Sequence, residues 1–85
     1  MTRDGTTAAT VTSLDTLLPG ASATVKALHL PPREATWLRA VGLREGTVVA
    51  VLRRAPFSGP LHLRLGERSE LALARELATH VEVAP

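Results

Sequence analysis

Residues 38–47 read Leu-Arg-Ala-Val-Gly-Leu-Arg-Glu-Gly-Thr, and the β-branched run Val48-Val-Ala-Val51 follows at once. This order leaves the backbone few choices. Gly42 suits the left-handed position just past a helix end, where a side chain would clash. With Gly42 as that residue, Leu38 and Leu43 fall at the two positions whose apolar side chains meet in a Schellman stop. Gly46 supplies a second position of positive φ and turns the chain into a strand over Thr47–Leu52. A helix, a stop, a turn and a strand follow one another with almost no spare residue. No catalytic residue type sits among these backbone devices, which predicts a scaffold that binds rather than an enzyme.

The segments on either side complete the pattern. Pro31-Pro32 opens the helix Glu34–Val41, since a proline in the first turn loses no hydrogen bond. Trp37, Leu38 and Val41 share one face, and Trp37 reads as core packing or as a lid over one end of the fold. On Thr47–Leu52, Val48, Ala50 and Leu52 lie on one face, with Thr47, Val49, Val51 and Arg53 on the other. A strand apolar on both faces belongs in a highly curved sheet. Leu61-His-Leu-Arg-Leu65 alternates with its leucines inward, and Gly66-Glu67 turns the chain into Ser69–Leu73. Ala74–Ala78 reads as one helical turn and His80–Val83 as a closing strand. Upstream, Ser13 is placed to cap a turn carrying Leu14, Leu17 and Leu18, which Pro19-Gly20 ends. Ala21–His29 is a strand with Val25 and Ala27 inward and a bulge expected at Leu28. Five short strands with Gly/Pro turns and one or two short helices predict an all-β protein, a small SH3-like β-barrel. Residues 1–10, rich in Thr and Ala, read as a flexible tail ahead of a single domain over 11–85.

Composition limits the rest. The chain has 85 residues and only two aromatics, Trp37 and Phe57, so its core must be aliphatic. It has no cysteine, which excludes disulfides and thiolate metal sites. No apolar run approaches the roughly 20 residues needed to cross a bilayer, and residues 1–10 lack the apolar core of a signal peptide, so a soluble cytoplasmic protein is expected. The high isoelectric point, about 10.5, reflects a net charge of only +2 with no Cys or Tyr to titrate. The ten basic residues are spread along the chain without a dense block, unlike a nucleic-acid surface.

Catalytic chemistry is not legible. His29, His62 and His80 lie on predicted strands or strand edges without the local spacing of a metal site, although histidines of different strands could still converge. Asp15 and the glutamates fall on turns and outward faces. No phosphate-cradling glycine loop or nucleophile elbow is present. No catalytic residue, metal ligand or cofactor is therefore assigned. The distinctive segment is Ala55-Pro-Phe-Ser-Gly-Pro60, where Phe57 sits between prolines at a hairpin tip. Phe57 either folds back to cap the barrel or stands out as an aromatic anchor of the type enriched at interfaces. Pro56, Pro60 and Leu61 would frame such an anchor, and Arg53 and Arg54 would steer it toward an acidic partner.

Four pieces, in order and spacing, resemble the FeoA family. Ser13-Leu-Asp-Thr-Leu-Leu-Pro-Gly20 is similar to the family's opening leucine turn and glycine. Leu38–Thr47 matches its Leu-x-x-Leu-Gly-Leu-x-x-Gly-x pattern, with Val41 at the second apolar position. Arg54–Leu61 resembles its proline–glycine loop, and Leu71–Val83 its last strand, turn and closing strand. Many relatives carry an arginine immediately before the leucine of the helix motif, where this chain has Trp37, so no role of that arginine carries over. The resemblance implies an SH3-like domain and a non-catalytic accessory role in ferrous iron uptake, in contact with the cytosolic part of the FeoB transporter. The same fold occurs at the C-terminus of iron-dependent repressors, so the alternative is a regulatory module binding a peptide or a divalent metal.

Overall fold

The chain folds around short antiparallel pairings, two of them hairpins and the rest between strands distant in sequence. The computed structural model describes residues 11–85, and the tail expected over 1–10 lies outside them. The strands are β1 (Thr12–Ser13), β2 (Ser22–Leu28), β3 (Val48–Arg54), β4 (Leu61–Leu65), β5 (Ser69–Leu73) and β6 (Val81–Ala84). A 3-10 turn over Leu14–Thr16 follows β1, α1 spans Pro32–Ala40 and α2 spans Arg75–Ala78. One sheet runs in the order β1-β6-β2-β3-β4-β5, with antiparallel pairing throughout. The last strand therefore lies between β1 and β2.

Two bulges curl this sheet. The β2–β6 register slips between Val25 and Ala27, and the β3–β4 register between Val51 and Arg53. Each extra residue sharpens the local twist and bends its strand around the core. The first bulge thus falls at Lys26 rather than at Leu28. It leaves Ala23 and Val25 buried and Ala27 only half-buried.

The core is aliphatic, as the shortage of aromatics requires. Leu14, Leu38, Leu43, Val49, Val51, Leu61, Leu63, Val81 and Val83 are fully enclosed. No polar or charged residue is buried among the described residues. The strand after Gly46 buries Val49 and Val51, while Val48 is 52% exposed on the opposite face. Near the start of the domain, Ser13 makes no side-chain cap. Instead Thr16 Oγ1 donates to the Ser13 carbonyl at 2.8 Å, and Leu14 alone of the three leucines is fully buried. Ser13 is held as a strand residue opposite Glu82, which fixes its backbone without a cap.

The helix stop forms as its residues dictate. The Leu43 amide donates to the Leu38 carbonyl at 2.8 Å and the Gly42 amide to the Arg39 carbonyl at 3.1 Å. These are the paired bonds of a Schellman motif, with Gly42 at φ 109° and Leu38 and Leu43 both enclosed. Gly46, at φ 92°, then leads into β3 and donates to the Val25 carbonyl at 2.8 Å. Arg39 spans the turn to Glu45 with two hydrogen bonds, at 3.2 and 2.8 Å. That contact holds the Glu45 carboxyl down to about 2, so the pair stays charged across the ordinary pH range.

Trp37 is neither core nor lid. At about 100° per residue, Ala35 and Leu38 define the buried arc of α1, and Trp37 lies well outside it. Its side chain is 49% exposed, with Val41 beside it at 37%. Replacing Trp37 with arginine should therefore shift stability by less than about 1 kcal/mol, whereas truncating a core tryptophan costs about 3–5 kcal/mol. The long arginine stem can cover the same surface. A denaturation curve of Trp37→Arg checks this.

Candidate functional site

Among the described residues, the β3–β4 hairpin ends in the one segment where residues other than glycine take positive φ. Beyond the Arg54–Leu61 pair, the Ala55 amide donates to the Pro60 carbonyl at 3.1 Å. Inside that bond, the Gly59 amide donates to the Pro56 carbonyl at 3.1 Å and closes a tight turn. Its two central residues, Phe57 and Ser58, stand at φ 58° and 59°. This is the sign pattern of the hairpin turns that normally take Asn or Gly. Left-handed backbone costs an ordinary residue on the order of 1 kcal/mol. Gly59, the obvious candidate for that conformation, serves another purpose. A Cβ there would sit 2.8 Å from the Ala55 Cβ and 3.1 Å from the Pro56 carbonyl oxygen. Glycine is needed where the two arms of the loop touch, so the positive φ falls to Phe57 and Ser58. The Phe57 side chain is 100% exposed.

The base of this loop is tied down on two sides. Arg54 donates through one terminal nitrogen to the Asp15 and Leu17 carbonyls, both at 2.7 Å. Arg75, on α2, donates to the Ala55 carbonyl at 3.3 Å, and its Nε faces Asp15 Oδ1 at 3.3 Å. Those last two atoms meet as opposite charges without an aligned hydrogen bond. The 3-10 turn and α2 thus clamp the hairpin at its root and leave the tip projecting. Asp15 and Arg75 did not stand out in the sequence. They are brought together only by the tertiary fold, and no local spacing signals them.

The predicted contact residues divide accordingly. Arg53, Pro56, Phe57 and Pro60 are exposed around the tip. Leu61 is fully enclosed, because it is the first inward leucine of β4. Arg54 is committed to two backbone carbonyls, so it holds the loop rather than steering a partner. The His29 amide donates to the His80 carbonyl at 2.8 Å, so those two adjoin at the end of the β2–β6 pair, while His62 lies on β4. His29 Nε2 lies 2.7 Å from Glu82 Oε1, and His62 Nε2 lies 3.0 Å from Glu70 Oε1. Among the described residues, no three His, Cys, Asp or Glu side chains come together to hold a metal ion.

A small curled antiparallel sheet with an aliphatic core and a clamped, aromatic-tipped hairpin defines a small SH3-like barrel domain. Comparison with known proteins makes the assignment specific. The family model described as the FeoA domain matches residues 12–85. The chain belongs to the FeoA family. Among solved structures, the FeoA protein of Chlorobium tepidum is 28% identical with a TM-score of 0.79, over 85% of this chain and 68% of that one. The FeoA of Stenotrophomonas maltophilia, solved with zinc and described as a prokaryotic SH3 domain protein, is also 28% identical. Its TM-score is 0.70, over 84% of this chain and 87% of that one. A manganese-dependent transcriptional repressor shares the fold alone, at 19% identity and a TM-score of 0.78, over 87% of this chain and 41% of that one. Among curated proteins nothing matches the chain.

Proposed function

We propose that this chain is a non-catalytic accessory protein of ferrous iron uptake, acting in the cytoplasm by binding the cytosolic part of a FeoB-type transporter. Family membership supports the pathway. The fully exposed Phe57 on a clamped loop carries the mode of action. An apolar ring held in water, on strained backbone, is stabilised by nothing among the described residues and gains its free energy on contact with a partner. Observed strain of this kind clusters at binding sites. The regulatory alternative rests on likeness of fold to the repressor and has no residue-level observation of its own.

The test is capture of the transporter from detergent-solubilised membranes by the immobilised chain, run beside a mobility-shift assay with duplex DNA. Retention of the transporter without DNA binding is the expected result. Retention of DNA alone, or of neither, overturns the proposal.

A further inference from the structure

The sheet stops at β5, and nothing among the described residues pairs with its outer edge. Ser69, Glu70 and Ala72 of that strand are exposed. Strand register puts Arg53 of β3, His62 of β4 and Ala72 of β5 in one row on the outer face. Above this row, next to the loop, lies a cleft of about 140 Å³ bounded by Arg53, Ala55, Pro60, Leu61, His62 and Ala72. Small-molecule sites run roughly from 300 to 1,000 Å³. This one suits a single side chain.

The charge around it has one sign to spare. Arg53 and Arg64 are exposed on this face, and neither has an acidic partner among the described residues. Glu70, the one carboxylate in the neighbouring row, stands opposite Arg64 and is hydrogen-bonded to His62, so Arg53 is the guanidinium on this face with no carboxylate across from it. A free strand edge, a cleft for one side chain and the unpaired Arg53 guanidinium at its rim select one kind of ligand. An extended segment would add a strand through its main chain and place alternate side chains on the outer face.

We propose that β5 and the adjoining cleft form a docking groove for an extended, acidic segment of the partner, with a glutamate seated in the cleft. Its methylenes lie against Ala55, Pro60 and Ala72, and its carboxylate meets Arg53. The groove is continuous with the Phe57 loop through Ala55 and Pro60, so one partner engages both. This proposal rests on the functional reading above, for which the partner is the transporter's cytosolic part.

The test uses the intact chain, the transporter's whole cytosolic part, and overlapping synthetic peptides that cover it. Fluorescence polarisation should find one acidic peptide that binds. Arg53→Glu should weaken that binding about tenfold or more, as for loss of a hydrogen bond to a charged group. Ala72→Trp, which fills the cleft, should weaken it comparably, with circular dichroism unchanged, while Arg53→Lys should retain part of it. N-methylation of the peptide backbone should abolish binding at every second residue only, since alternate amides face the edge. If the cytosolic part binds but both Arg53→Glu and Ala72→Trp bind it as tightly as the original chain, the groove is wrong and the functional reading stands. If the cytosolic part binds and no peptide does, the extended-segment claim falls. If the cytosolic part does not bind at all, the functional reading itself fails.

Discussion

Replacing Phe57 with glycine should make the fold slightly more stable and deprive it of its partner. The two effects have separate causes. Phe57 is fully exposed at φ 58°, so its removal costs the core nothing and relieves left-handed strain. Glycine enters that region freely but gains conformational freedom in the unfolded chain, so the net stabilisation is at most about 1 kcal/mol. Burial of the ring in an interface is worth roughly 1.5–3 kcal/mol, so partner binding should fall by about ten- to a hundredfold. Most substitutions destabilise, and a change that moves stability and binding in opposite directions marks a surface kept for contact. Phe57→Ser keeps the Cβ and the strain, and should lose binding with stability nearly unchanged. Denaturation midpoints set beside binding titrations decide the matter: unfolding by Phe57→Gly, or binding left intact, would place the contact surface elsewhere.

The second large effect is expected at Gly42. Gly42→Val should destabilise the domain by about 2 kcal/mol, within the range of strained non-glycine backbone. Space is not the obstacle, since an added Cβ would make ordinary contact with Leu65 Cδ1 at 3.6 Å. The difficulty is the backbone, at φ 109°, outside even the small left-handed region open to other residues. Relaxing that angle would break the paired bonds to Leu38 and Arg39, and with them the entry into β3. Gly42→Ala should cost less, because it lacks the β-branch. An unchanged denaturation midpoint for Gly42→Val would remove this glycine from its role.

Local devices were legible in the sequence, and long-range choices were not. The helix stop could be read because its donors, acceptors and apolar pair all lie within six consecutive residues. Two-residue β1 could not, since Thr12 and Ser13 become a strand only by meeting Val83 and Glu82. The face chosen by β3 was open because both of its faces are apolar, and it is decided by pairing, which sets Val49 and Val51 opposite the inward Leu65 and Leu63. Phe57 had two readings because an aromatic between prolines at a hairpin tip can fold back or stand out, and the three-dimensional course of the turn, with positive φ at Phe57 and Ser58, decides for the exposed one. For Leu61 the alternation of β4 already pointed inward, and that periodicity outweighs its place beside the loop. The clamp of Arg54 and Arg75 depends on side chains reaching across the fold, which no pattern along the chain encodes.

The position of β6 has a kinetic meaning. The last of the described strands in sequence lies inside the sheet, between β1 and β2, with Thr24 paired to Ala84 and Thr12 to Val83. Until residues 81–84 have left the ribosome, β2 has one bare edge and β1 has no partner at all. The hairpins of β3, β4 and β5 can assemble early from neighbours in sequence, but closure must bridge nearly the whole domain. Topologies dominated by such distant pairings reach the native state in milliseconds to seconds rather than microseconds. The nascent domain therefore carries an additional open sheet edge, that of β2, the feature most prone to wrong pairing, until residues 81–84 arrive and cover it.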